Sequence, residues 1–171
     1  LGNFTMIKEV LGAYSPEVIR MFLLSNHYRS PIDYSEDSMR EVSIGLDRFY
    51  AFLERLENAG IKEDGTLSGD LWHNFSEAMN DDFNSAKALA CVFEAVKNGN
   101  RLLDDANDSP NEETLNILSF IYNDMKAISQ ILGIFLLNPQ SYFTAKKDKG
   151  MAEMAVDPSE IEELIQQRAQ A

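Results

Sequence analysis

His27, His73, Cys91 and the adjacent pair Asp81-Asp82 are the side chains whose types could support acid-base, nucleophilic or metal chemistry. Their spacing favours none of it. Neither histidine stands at ligand spacing from the other or from the single cysteine, so a Cys/His zinc set cannot be assembled from them. Cys91, inside "ALACVF", has no second cysteine to pair with and reads as a small buried thiol. Neighbouring carboxylates can work as an acid/base pair. Asp-Asp just ahead of a helix is more simply turn and cap composition. The chain contains no G-x-S-x-G elbow, phosphate-binding glycine loop or dinucleotide fingerprint. We therefore expect no catalytic residues, no metal and no cofactor in this chain by itself.

Binding chemistry is the alternative, and charge constrains it. Fifteen Lys and Arg against twenty-eight Asp and Glu leave a net charge of -13, a poor balance for affinity built on phosphate neutralisation. The excess is uneven. In residues 1–35, Lys8, Arg20 and Arg29 offset Glu9, Glu17 and Asp33, so all of it lies downstream. Within that neutral opening, "SNHYRSPIDYS" (25–35) gathers His27, Tyr28, Arg29 and Tyr34 around Pro31. Farther along, Arg40, Arg48 and Arg55 recur at steps that keep one helix face, and Lys146, Lys147 and Lys149 form the densest basic cluster. Each has a plainer reading. Glu41, Asp47 and Glu54 beside the arginines suit a solvated salt-bridge face, and the lysines suit a solubilising loop. Arg20, among Val18, Ile19, Phe22 and Leu23, is expected to bury its stem and pair with an acid.

The elements that must position these groups read as helices. Thr5 can cap a short one that Gly12 ends in a left-handed turn. Ser15-Pro16 is an N-cap followed by proline at the first helical position. Ser35 caps a long helix in which Met39, Val42, Leu46, Phe49, Leu53 and Leu56 keep the helical period, stopped by Gly60. "GIKEDGTLSG" (60–69) is a glycine-rich connection and the best linker candidate. Leu71, Trp72, Phe75 and Met79 mark a short helix closed by "NDDFNS". Asn84 or Ser85 starts the next, and Ser109-Pro110 repeats the cap-plus-proline device for one that Gly133 ends. "TAKKDKGMAEMA" has no steady period and reads as a mobile loop, before a last helix capped by Asp157 and Pro158. Strand alternation scarcely appears, so the expected fold is an all-α antiparallel helix bundle. No apolar run reaches the roughly 20 residues of a membrane span, and a cytoplasmic protein is expected.

Several stretches taken together resemble one family. "LGNF", "SPEVIRMFLLSNHYRSPIDYSED", "EAMNDDFNSAKALACVFEAVKNGN", "LGIF" and "EIEELIQQRAQA", in this order, are similar to the C-terminal half of cysteinyl-tRNA synthetases. Singly, "HYRSP" or "LGNF" is weak; the set spans almost the whole chain. In the family "LGNF" follows the Lys-Met-Ser-Lys-Ser loop of the catalytic domain, which fits a chain that opens without Met. "SPEVIRMFLL" corresponds to the motif that names the DALR helical anticodon-binding domains, with Arg20 at its final position. The departures are mild. Ser15-Pro16 stands where the family has Asp-Pro, and Asn80-Asp81-Asp82-Phe83-Asn84-Ser85-Ala86 where it has Asp-Asp-Asp-Phe-Asn-Thr-Pro; a side-chain oxygen able to cap survives at both starts.

The resemblance implies residues 1–35 as a stem-contact segment after the catalytic domain and residues 36–171 as a DALR-type bundle, ending before the family's terminal anticodon-reading module. It implies tRNA-Cys and the enzyme's own catalytic domain as partners, with neither membrane nor DNA. ATP and zinc belong to the parent's catalytic domain, so this piece alone is expected to be inactive and to bind tRNA weakly. His27, Arg29, Arg40, Arg48, Lys146 and Lys147 are the tRNA-contact candidates. Asn3, Arg20, Tyr28 and Tyr34 are the structural and domain-interface candidates. Residues 25–35 are read first as a packed junction in which Arg29 meets Asp33 or backbone carbonyls, with a phosphate as the competing partner. Two rivals are the matching half of the cysteine ligase of mycothiol synthesis, which binds no tRNA, and a stand-alone helical interaction module.

Overall fold

A computed structural model describes residues 7–66, 69–107 and 109–154, and among these every regular element is a helix. Short polar side chains set most of the starts. A brief α1 (Ile7–Ala13) precedes α2 (Pro16–Leu24), where the Ser15 side chain accepts from the Val18 amide and Pro16 occupies the first turn. Ser35 and Ser38 exchange side-chain and backbone hydrogen bonds at the head of α3 (Glu36–Asn58), a reciprocal cap that satisfies two otherwise orphaned amides. Then come α4 (Asp70–Asn80), α5 (Ser85–Asp105) capped by Asn84, and α6 (Glu112–Leu132) capped by Asn111. Gly133 closes α6 at φ 67, the left-handed conformation that glycine reaches without steric cost. The last described helix is α7 (Pro139–Met154).

Three sequence expectations change. Gly12 lies inside α1, and the Tyr14 amide still reaches the Val10 carbonyl, so the break comes from the Ser15-Pro16 start rather than a glycine turn. Ser109-Pro110 precedes α6 without capping it. Asn111, an equally good acceptor, caps instead and leaves Glu112 and Glu113 in the first turn, beside the positive end of the helix dipole. The stretch read as a mobile loop is helical in α7 as far as Met154. Its Ala, Lys and Met residues are strong helix formers, and Asn138 and Pro139 supply the start, with the Asn138 side chain accepting from the Gln140 amide. Period detection misses such a helix because it has no apolar stripe. The Thr5 and Asp157-Pro158 caps lie outside the described residues.

Residues 1–136 and 137–171 form two compact units. In the first, large side chains of α3 are the centre: Phe49, Tyr50, Phe52, Leu53 and Leu56 are buried together with Met21, Leu89, Leu103 and Phe135. Packed pairs give the helix directions. Gly45 faces Phe93, Gly99 faces the Phe52 ring, and Arg55 meets Asn100 and Asp104, so α3 and α5 run the same way. Glu17 with Tyr50 and Met21 with Gly45 place α2 antiparallel to α3. Tyr50 with Phe135 and Glu57 with Tyr122 do the same for α3 and α6. The glycine-rich connection at 60–69 joins α3 to α4 inside this unit, with Ile61 buried. It is a pinned loop rather than a boundary.

Candidate nucleic-acid interface

The loop leaving α2 converges on one carboxylate from the α4–α5 turn. Tyr28 donates its hydroxyl to Asp82 Oδ1 at 2.9 Å, and Arg29 Nη1 lies 3.1 Å from Asp82 Oδ2. His27 Nε2 is 3.9 Å from the same oxygen. The Arg29 amide donates to His27 Nδ1, so the neutral ring carries its proton on Nε2, facing Asp82. The His27 ring stacks on Tyr28 with centroids 5.0 Å apart, and the Arg29 guanidinium sits 5.3 Å from the Tyr28 centroid. Hydrogen bonding to Asp82 pushes the Tyr28 phenol above its ordinary pKa. Arg29 thus pairs with Asp82, not with Asp33. Its side chain stays 68% exposed and that of Asp82 42%, and exposed pairs of this kind contribute only about 0.2–1 kcal/mol.

The turn that presents Asp82 is strained. Asp82 and Phe83 are consecutive non-glycine residues at φ 55 and 52, a conformation of order 1–2 kcal/mol uphill for each. The chain holds it because the Asn84 amide reaches back to Ala78 and the Phe83 amide to Met79, satisfying the last carbonyls of α4. Phe83 is left 69% exposed and Tyr28 58%. Tyr34, by contrast, sets its ring edge-on against buried Phe22, with centroids 6.2 Å apart.

Arg20 is a structural residue of a different kind from the one expected. Its guanidinium donates to the Gly133 carbonyl at the C-terminal end of α6, where positive charge complements the helix dipole and an unpaired carbonyl needs a donor. One turn earlier, Glu17 accepts from the buried Tyr50 hydroxyl and from the Phe135 amide. Two side chains of α2 therefore clamp the "GIF" turn after α6.

The remaining candidates are described element by element. Arg40 and Arg48 are exposed on α3, with Arg40 3.7 Å from Asp37. Arg55 leaves their stripe by turning to Asp104 at 2.7 Å and to Asn100. Lys146 and Lys147 are exposed on α7, in the second unit. Asn3 lies outside the described residues. His73 is exposed, 3.5 Å from Glu77. Among the described residues no three His, Cys, Asp or Glu side chains are arranged to hold a metal, and no helix is long and apolar enough to cross a membrane.

Sequence reasoning missed Asn123 and Asp124, both buried on α6. Asn123 accepts from the Asp64 amide and donates to the Asp64 carboxylate, and Asp124 accepts from the Trp72 amide in the first turn of α4, whose own N-cap, Gly69, has no side chain. Two adjacent polar residues where α6 should be apolar were the available signal.

Family models match in chain order: a tRNA synthetase class I (C) catalytic domain over residues 1–44 and a DALR domain over residues 74–136. A cysteine-tRNA ligase of Geobacter metallireducens is 38% identical over 182 residues, taking in 100% of this chain and 37% of that protein. One from Pseudomonas aeruginosa is 39% identical over 171 residues, with 100% and 34% covered. Along its whole length the chain is similar to cysteine-tRNA ligases. It spans about a third of the length of the curated relatives it matches. Within the family's layout, the catalytic-domain match takes in α1, α2 and the head of α3, so the His27–Arg29 loop falls inside it, whereas Asp82 falls inside the DALR match. The contact between them joins the two matched regions.

Proposed function

We propose that this chain is the tRNA-binding region of a cysteine-tRNA ligase and that it helps hold tRNA-Cys while the enzyme's catalytic domain, using ATP and a zinc-bound cysteine site, charges the acceptor end. The observation that carries this reading is the full-length match to proteins named cysteine-tRNA ligase, with catalytic and DALR models in order. Residues 1–35 act as the stem-contact segment and residues 36–171 as the helical tRNA-binding part. The work is positioning: exposed Arg29, Arg40 and Arg48 contribute phosphate contacts, exposed Lys146 and Lys147 contribute others, and Arg20, Tyr28 and Tyr34 keep the helices in register. Such a protein works in the cytoplasm, without DNA or membrane partners, and this chain alone charges no tRNA.

With a net charge of -13, the isolated chain binds tRNA weakly and more weakly as salt rises. Filter binding of tRNA-Cys across a salt series tests this. A weak, salt-sensitive isotherm supports the reading, and no binding at low salt overturns it. Activation of cysteine by the chain alone, read as ATP–pyrophosphate exchange, would contradict the division of labour.

A further inference from the structure

We infer that His27, Tyr28 and Arg29 form an oxyanion site that Asp82 occupies in the free protein, and that a backbone phosphate of the bound RNA takes the place of that carboxylate. The inference rests on the tRNA-binding reading and adds a gate to it.

A phenol hydroxyl and a guanidinium hold the two oxygens of one carboxylate, and an imidazole nitrogen stands 3.9 Å from one of them. The Arg29 amide, through His27 Nδ1, fixes the tautomer that makes the imidazole a donor there. Ring stacking of His27 on Tyr28, with Arg29 over the same ring, holds the donors together without help from Asp82. The site is thus assembled on one loop and its occupant is delivered by another. A planar guanidinium beside a phenol hydroxyl suits phosphate as well as carboxylate. A backbone phosphodiester carries the same single negative charge, spread over two non-bridging oxygens as it is over the two of the carboxylate.

The occupant is built to leave. Asp82 sits at φ 55 on an exposed turn, its carboxylate is 42% exposed, and Arg29 is 68% exposed, so water and a ligand reach the pair from outside. A buried carboxylate committed to holding the loop would have neither property. Phe83, next in the chain and 69% exposed, and Tyr28, 58% exposed, flank this contact with aromatic surface on which an RNA base or ribose can rest. In a chain with thirteen excess negative charges, a carboxylate that covers an exposed arginine also lowers non-specific affinity for RNA. Only a ligand that supplies a phosphate at that spot recovers the arginine.

The test compares Asp82→Asn with Asp81→Asn in the full 171-residue chain, using a tRNA-Cys transcript and fluorescence anisotropy over a salt series. Each variant removes one negative charge from the same turn, but Asp81 faces Lys87 at 3.8 Å, not the loop. Asparagine accepts the left-handed backbone as readily as aspartate, and Asp82→Gly, which adopts it without strain, is the second variant should the first lose stability. The expected result is about fivefold tighter binding for Asp82→Asn, the worth of one exposed pair, and less than about twofold for Asp81→Asn. The slope of log K against log salt should stay the same, because the phosphate contact is made in both proteins, and a slope steeper by about 0.7–0.9 would show that wild type lacks it. Adding Arg29→Ala to Asp82→Asn should erase the gain. Equal effects of the two asparagine variants, weaker binding for Asp82→Asn, or a gain that survives Arg29→Ala would each overturn the gate. Inorganic phosphate in place of chloride at fixed ionic strength probes the donors directly. If it reduces the Asp82-dependent gain, free anion and RNA phosphate compete for the same donors as proposed; a gain that phosphate leaves untouched would show that the donors take no oxyanion and overturn the site. Should the wild-type chain bind tRNA with no Asp82 effect, the gate alone fails; should no variant bind at any salt, the tRNA reading fails with it.

Discussion

Replacing Glu17 by alanine tests how α2 is locked to the bundle. The carboxylate accepts from the Tyr50 hydroxyl at 2.9 Å through both oxygens and from the Phe135 amide. Tyr50 and Phe135 are both buried, and Phe135 sits at φ 61, so the contact also holds a strained residue in place. A hydrogen bond to a charged acceptor contributes about 1.5–3 kcal/mol, and a buried donor stripped of its acceptor loses about as much. Two donors share one half-buried carboxylate, which places the loss for Glu17→Ala near the low end of the sum, about 3 kcal/mol. For a protein of this size each kcal/mol shifts Tm by roughly 2–4 °C, so thermal melts followed by far-UV circular dichroism should fall by about 6–12 °C. Glu17→Gln keeps an acceptor and should lose about half as much. Tyr50→Phe should cost distinctly less in the Glu17→Ala background than alone, because the two share an interaction. A Tm change under about 2 °C, or strict additivity of the pair, would show that the clamp does not hold α2 to the end of α6.

Three further outcomes follow from the packing and the titrating groups. Gly99→Ala drives a methyl group into the Phe52 ring at the crossing of α3 and α5, so it should cost about 1–3 kcal/mol and lower Tm measurably; an unchanged melt would contradict the close approach. Asp124→Ala removes the acceptor that α6 lends to the first turn of α4 and should cost about 1–2 kcal/mol, with amide exchange accelerated first at Trp72; protection there unchanged would contradict the borrowed cap. Burial, and then the neighbouring Glu57 carboxylate, push the Tyr122 phenol up from 10.0 to about 12. Folding thus favours the protonated phenol: its contribution is complete below pH 10.0 and is lost as pH rises through about 12. Wild type should therefore lose stability relative to Tyr122→Phe across that window, and parallel pH profiles would refute the shift.

Local chemistry was what the sequence exposed best. Ser15, Ser35, Asn84 and Gly133 act where their side chains or backbone freedom predict, because caps are decided within one helical turn. The apolar period of α3 likewise names residues that, half-buried Val42 apart, are buried. What the sequence could not show was pairing at a distance. From sequence Arg29 reads against Asp33, backbone carbonyls or a phosphate, yet its partner Asp82 arrives from 53 positions away through the fold. Arg20 was assigned an acid and instead caps α6, since a helix end offers a carbonyl that no sequence pattern marks. The cap of α4 comes from α6, and α7 forms without an apolar stripe for periodicity to detect. For the candidate site, the loop at 25–35 stands out by its unusual composition, while the carboxylate that pairs with it reads from sequence only as turn chemistry.

Mapping backbone amide signals of the chain by NMR during titration with tRNA-Cys tests the central claim most directly. The tRNA-binding reading predicts shifts at His27, Tyr28 and Arg29, at Asp82 opposite them, and along the Arg40 and Arg48 face of α3, all diminishing as salt rises. Titration that leaves those signals in place, or that moves them equally with duplex DNA, would contradict it.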